Sequence, residues 1–368
     1  MSFSKSKSDY PKRKNSPASD IKKIIKRNNY KFSSDIKKSL VIPINDLDAY
    51  EQNPKHNWIY NRLELAKWQK IPAYPLPILP ALEEYPVIVK PIINLYGFSL
   101  HCFKINSEEE LLQPKYNKNT NFWSIFHKSD HTLSTDLFIV NGKIMISNTI
   151  KGHLKSKIPG LYDYWEYLPD YPTPSIINKL VKRKFYSYTG VMNVETINNN
   201  IIEAHLRLGN IYDLMESNRI LKSILSFYVS NPDPKSKPKF KHKRNPRNLA
   251  KEKVYLIPVF IPHKEEFILT PKQVKYLSEG AKYYEIDSPN ISHPNKYRRV
   301  VLLTTLDLKK GLLSRKVILR AHRDSLIYQK YNLDFSAYPI TAHPILPPAL
   351  PVDKLPESPP LPKSSSPS

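Results

Sequence analysis

Apolar positions recur along this chain with two periods, two residues in some stretches and three to four in others, and the changes of period mark out its elements. Residues 1–38 have no apolar period and read as a disordered basic tail. A short strand is expected over Ser39 to Ile44. From His56 to Pro75, Ile59, Leu63, Leu65, Ala66 and Trp68 share one broad helical face, with Asn57 as N-cap and Ile71-Pro72 as the stop. Pro72 to Pro80 is an extended connector. Val87 to Val89 reads as a buried strand with Lys90 at its end, Ile92 to Gly97 as a loop, and Leu100 to Ile105 as a second strand. Ser107 then opens a helix with capping-box spacing. Asn121 to Phe126 and Ser134 to Val140 are strands, the latter turning at Asn141-Gly142 into Lys143 to Ser147. Residues 151–174 lack a period and read as a lid or a packed loop. An amphipathic helix runs from Ser175, its cap, to Phe185, and another from Ile211 to Tyr228. Further on come a strand at Val254 to Ile261, a helix capped by Thr270, a strand at Arg299 to Thr305, and a helix from Asp307 to Arg320 broken at Gly311.

Between Thr189 and Gly209 the apolar residues Val191, Val194, Ile197, Ile201 and Ile202 are interrupted by Asn193, Glu195, Glu203, His205 and Arg207. This spacing predicts two strands joined by an Asn198-Asn199 turn, because Asn tolerates the positive φ of a two-residue hairpin. Alternation puts Glu203, His205 and Arg207 on one face. Pairing Ile197 with Asn200 sets Glu195 opposite Ile202, one step from Glu203. Two carboxylates that close repel unless a proton, an Arg or a metal ion intervenes. The competing reading is an exposed hairpin face with solvated charges.

Composition refines this picture. The 368 residues carry a net charge of +24, and two segments hold two thirds of it: residues 1–40, with 12 Lys/Arg against 3 Asp, and residues 232–253, with 9 Lys/Arg against Asp233 and Glu252. Such runs bind polyanions weakly and without sequence preference. Residues 339–368 hold ten prolines and read as a disordered tail. A single cysteine, Cys102, excludes an internal disulfide and a cysteine-based zinc site, and is expected as buried packing. There is no secretory apolar region and no run of 18 apolar residues, so a soluble, cytoplasmic protein is expected.

The order of these segments resembles the ATP-grasp superfamily over about residues 56–212. The helix with Asn61-Arg62 is similar to the one before the family's first strand. Pro86 to Pro91 resembles the strand with its ATP-phosphate lysine, here Lys90. Asn94 to Gly97 stands in place of its phosphate loop, with one glycine where several are usual. His131 to Lys143 resembles the strand pair lining the nucleotide cleft, and Glu195, Glu203 and His205 fall where the family places its Mg²⁺ ligands.

The resemblance implies an α+β, ATP-grasp-like fold, with antiparallel sheets and flanking helices clasping a nucleotide cleft. The domain scheme is a tail at 1–38, the ATP-grasp-like domain at 39–230, a basic linker at 231–253, a small α/β region at 254–338 and a Pro/Ser-rich tail at 339–368. ATP and Mg²⁺ are the implied cofactors. Arg62, Lys90, Asn94 and Gly97 would meet the nucleotide, Glu195, Glu203 and His205 the metal, and Arg207 an acyl phosphate formed on a carboxylate substrate. The activity implied is an ATP-dependent carboxylate–amine ligase. The alternatives are a catalytically decayed relative with an interaction role, and a nonspecific nucleic-acid binder using the basic segments.

Overall fold

The structure, a computed structural model, describes residues 43, 45–95, 102–113, 116–154, 161–168, 170–209, 253–278, 282–285 and 297–330. Both expected tails, the strand at 39–44 apart from residue 43, Gly97, the helix at 211–228 and nearly all of the basic linker lie outside these residues. The described residues up to Arg323 belong to one compact unit; those from Asp324 onward belong to a second, of which only the end of one helix is described.

The chain enters through helix α1 (Asp46–Gln52), a 3-10 turn (Asn57–Tyr60) and helix α2 (Arg62–Gln69). Strands β1 (Ala73–Pro75), β2 (Val87–Pro91) and β3 (Phe103–Ile105), the one-turn helix α3 (Glu108–Leu111) and strand β4 (Asn121–Ile125) follow. Next come β5 (His131–Val140), β6 (Lys143–His153), β7 (Tyr164–Leu168), helix α4 (Ser175–Lys184), β8 (Gly190–Ile197) and β9 (Asn200–His205). The last elements are β10 (Tyr255–Pro262), α5 (Pro271–Leu277), β11 (Lys282–Glu285), β12 (Tyr297–Thr305) and α6 (Leu308–Lys330).

The strands form two antiparallel sheets: four strands in the order β1-β4-β2-β3, and eight in the order β11-β12-β10-β7-β6-β5-β8-β9. The expected α+β class of antiparallel sheets with flanking helices is what the chain adopts. The strands of 254–305 are not set apart from the rest: β10 pairs with β7 at Tyr255↔Glu166, so one sheet continues across the basic linker. α4 packs Ile177, Leu180 and Val181 into the main core with Leu137, Ile139, Met192 and Val194 of the large sheet. Burial of side chains of this size contributes about 1.5–3 kcal/mol each. Among the described residues no helix is long and apolar enough to cross a membrane.

Several local expectations are corrected. The helical stretch from His56 is split at Asn61, which caps α2 by accepting from Glu64 N at 3.0 Å, so the cap is Asn61 and not Asn57. Asn61 also bridges to Ile93, and that pairing with extended chain interrupts the helix. The stretch 151–174 contains strand: β6 runs on to His153, and β7 pairs with it. Ser175 is not the cap of α4; its hydroxyl exchanges hydrogen bonds with Asn199 of the hairpin turn. Gly311 does not break α6. A Cβ there would lie 2.3 Å from Ile257 Cδ1 and 2.6 Å from Thr305 Cγ2, so the glycine lets the helix lie close on β10 and β12.

The β8–β9 hairpin forms with Asn198 and Asn199 at φ of 50° and 59°, and Ile197 pairs with Asn200 as expected. The next step differs. Thr196 pairs with Ile201, but Glu195 pairs with Glu203, so Ile202 is an extra residue bulged out of the ladder. The bulge brings the two carboxylates directly opposite each other. Gln69, at the end of α2, fixes the strand just before it: its amide accepts from Ile201 N at 2.7 Å and donates to Ile201 O at 2.8 Å.

Candidate functional site

Four parts of the chain meet at this hairpin. β8 supplies Glu195 and β9 supplies Glu203 and His205, with Arg207 just beyond. α2 begins with Arg62; β2 ends near Lys90, with Asn94 in the segment that follows; α1 begins with Asp46. Backbone pairing brings the second and third of these together, since Arg62 N donates to Ile92 O at 2.8 Å.

The charges are buried, which rules out the solvated-face reading. Glu203 is 9 % exposed, Arg62 4 %, His205 3 %, Asp46 3 % and Arg207 6 %. Desolvating a charge is costly unless partners meet it, and here they do so in a chain. Arg207 Nη2 donates to Asp46 Oδ2 at 2.8 Å, and its Nη1 donates to Leu208 O at 2.9 Å. His205 Nδ1 lies 2.8 Å from Asp46 Oδ1, and its Nε2 lies 3.3 Å from Glu203 Oε1. Glu203 Oε1 also accepts from Arg62 Nη2, and from Asn94 Nδ2 at 2.9 Å. Tyr60 packs edge-on against the His205 ring and accepts from Leu206 N at 3.0 Å.

The protonation states follow. Burial opposes the charge of Asp46, but His205 and Arg207 hold its carboxyl far below the ordinary carboxylate range. Burial likewise opposes Glu203, and Arg62 and His205 outweigh it, so this group stays ionised. Because Asp46 is ionised, the His205 nitrogen facing it carries the proton.

Two groups stand outside the chain. Glu195 accepts no hydrogen bond among the described residues, and burial together with Glu203 pushes its carboxyl up to about 7. Lys90 has no carboxylate partner among the described residues; its ammonium lies over the Phe122 ring, 5.4 Å from the centroid. Burial, then the neighbouring Arg62, lowers it to about 8. One further donor is unused, because Arg62 Nε is buried with no hydrogen-bond partner among the described residues.

The expected site residues are thus brought together, apart from Gly97, which lies outside the described residues. Arg62 and Asn94 both turn to Glu203, Arg207 turns to Asp46, and both ring nitrogens of His205 face carboxylates. Asp46 and Tyr60 were missed by the sequence reading, as was Tyr162, whose hydroxyl is raised by burial and by Glu195. Only Asn45, which caps α1 by accepting from Asp48 N, leaves a sequence signal near Asp46.

Among the described residues no three His, Cys, Asp or Glu side chains are arranged to hold a metal ion. The acidic groups fit one that arrives with ligands of its own: Glu195, without a hydrogen bond, and Oε2 of Glu203, which accepts none among the described residues. Mg²⁺ bound with nucleotide is of this kind, held by one or two carboxylates plus phosphate oxygens.

No family model matches this sequence, and no curated protein does either. Solved structures do show similarity. N5-carboxyaminoimidazole ribonucleotide synthetase from Thermus thermophilus is 14% identical, with a TM-score of 0.46 over 76% of this chain and 79% of its own. The L-amino acid ligase from Bacillus licheniformis is 11% identical, with a TM-score of 0.44 over 73% and 72%. N5-carboxyaminoimidazole synthetase from Staphylococcus aureus, solved with ADP, is 13% identical, with a TM-score of 0.44 over 74% and 71%. These neighbours are ATP-grasp ligases.

Proposed function

We propose that the cleft between β2 and the β8–β9 hairpin binds the phosphates of ATP together with Mg²⁺, and that the chain is a divergent ATP-grasp protein of the carboxylate–amine ligase class. One observation carries this reading: positive charge is left unmatched beside an unsatisfied carboxyl. Lys90 and the Nε of Arg62 have no acceptor among the described residues; Lys90 is half-buried, and the Nε of Arg62 is withdrawn from water. Unpaired cationic donors in such a place cost folding free energy that an anion with several oxygens removes. A triphosphate is that kind of anion.

Each residue has a definite task in this reading. Lys90 neutralises phosphate oxygens as a point charge, and Arg62 offers its planar fork to the same group. Asn94 steadies Glu203. Glu195 and Oε2 of Glu203 would hold the divalent ion, which when bound supplies charge neutralisation to the phosphoryl oxygens. The in-line transfer asks for positioning and cationic surroundings, with no nucleophilic side chain. In the ligase class the phosphoryl acceptor is a substrate carboxylate, whose acyl phosphate is then attacked by an amine. The segments that suggested nucleic-acid binding lie, apart from Lys253, outside the described residues.

Lys90→Met tests the reading. Affinity for ATP with Mg²⁺, measured by calorimetry, is expected to fall about tenfold or more, the worth of one charge-assisted contact. Without nucleotide the variant should melt at the same or a higher temperature at pH 7, because a desolvated cation has been removed. Unchanged ATP affinity in the folded variant rejects the proposal.

A further inference from the structure

We infer that Arg62 is the resident counter-cation of Glu203, standing on the carboxylate oxygen beside which a divalent ion would bind, so that the chain takes up such an ion only together with nucleotide phosphates. The inference rests on the nucleotide reading above and adds an order of binding to it.

Nothing local favours a cation where Arg62 sits. It is the first residue of α2, where the helix dipole opposes positive charge. It is also removed from water, and Lys90 is close enough to be weakened by it. Glu203 supplies what offsets these costs, through the bond from Arg62 Nη2 to Oε1. The same oxygen accepts from Asn94 at 2.9 Å, so with Arg62 its two acceptor positions are filled, and His205 Nε2 lies 3.3 Å away. A bare ion approaching the carboxylate pair therefore meets one group already neutralised and no third ligand among the described residues.

The guanidinium is poorly used in other directions. Among the described residues its Nη1 reaches only the Cys102 sulfur at 3.7 Å, a weak acceptor, and its Nε has no partner. A fork with one strong bond and several idle donors gains by turning to a phosphate, which it can grip at two points. The backbone need not follow: Arg62 N stays bonded to Ile92 O, and Asn61 stays bridged to Ile93. Rotation of one side chain then frees Glu203 as it engages the phosphate. A merely structural Arg–Glu pair would not link metal uptake to nucleotide in this way.

The test uses Mn²⁺ alone, without nucleotide, on the full chain, with bound ion counted from loss of the free-ion electron paramagnetic resonance signal. The wild-type chain is expected to bind Mn²⁺ weakly. Arg62→Gln should bind it about tenfold more tightly or better, in keeping with loss of one charge-assisted contact. Adding Glu203→Gln to that variant should return binding to the wild-type level. If Arg62→Gln melts too low to titrate, Arg62→Lys, which keeps the charge but loses the fork, should show the same change at smaller amplitude. A folded Arg62→Gln variant that binds Mn²⁺ no better than the wild-type chain, or tighter binding that survives addition of Glu203→Gln, overturns the inference. Since every arm omits nucleotide, failure here leaves the ATP reading to the Lys90→Met titration.

Discussion

Neutralising Glu195 should stabilise the protein at alkaline pH and leave it unchanged at acid pH. Glu195 lies directly across the hairpin from Glu203, and burial with that neighbour raises its carboxyl from the ordinary 4.5 to about 7. A group that holds its proton more tightly when folded imposes no cost below its unfolded value. The cost of ionising it grows as the pH climbs from 4.5 and is complete above about 7. At about 1.4 kcal/mol per pH unit, the whole shift amounts to at most about 3.5 kcal/mol. Solvent screening of a half-buried side chain reduces that to about 1–3 kcal/mol. Glu195→Gln keeps the shape and removes the charge. Urea unfolding in the presence of a chelator, at pH 4.5 and pH 8, measures the difference. The two proteins should coincide at pH 4.5, and the variant should be more stable by about 1–3 kcal/mol at pH 8. An equal offset at both pH values, or a variant less stable at pH 8, would refute the reasoning, because either result means that Glu195 is not an ionised carboxylate held against another.

Asp46→Asn should cost about 3–5 kcal/mol in urea unfolding at pH 7, since it strips a buried Arg207 of its carboxylate and His205 of its acceptor. Because the Asp46 carboxyl is depressed, this contribution is present above its unfolded 3.8 and fades only at more acid pH; a loss confined to neutral pH would contradict the pairing. Gln69→Ala should cost about 1–3 kcal/mol by leaving both backbone groups of Ile201 without their side-chain partner. Faster amide hydrogen exchange at Ile201 should accompany that cost, and unchanged exchange would argue against the clamp.

Much of the site was legible because its signals are local. The Asn198-Asn199 and Asn141-Gly142 turns need positive φ, which two adjacent residues declare. Thr270 and Gln273 form their capping box within four residues. What escaped depends on contacts between residues far apart along the chain. The bulge at Ile202 follows no rule of alternation; it accompanies the hold of Gln69 on Ile201, 132 residues along the chain. Asp46 meets His205 and Arg207 across 159 and 161 residues, and an Asp that directly follows an Asn cap looks like any helix entrance. Gly311 read as a break because helix propensity is a local quantity, whereas the glycine is required by the nearness of Ile257.

The distribution of charge explains why the functional reading attaches to the less buried residues. From Arg207 through Asp46, His205 and Glu203 to Arg62, carboxylates alternate with nitrogen-bearing side chains, and each carboxylate lies between two of them. Such a sequence is closed: removing any member strands its neighbours, and a ligand entering it must displace a partner already present. Glu195 and Lys90 carry the same kinds of charge but belong to no pair among the described residues, and burial shifts each toward its neutral form. Their ordinary charge states are restored only by something brought from outside, an anion for Lys90 and a cation for Glu195. One ligand carrying both, a polyphosphate with its divalent ion, satisfies the two at once. In the proposed reading the closed chain would be the wall against which such a ligand is held, and Arg62, whose Nε has no partner among the described residues, is where wall and ligand would exchange partners.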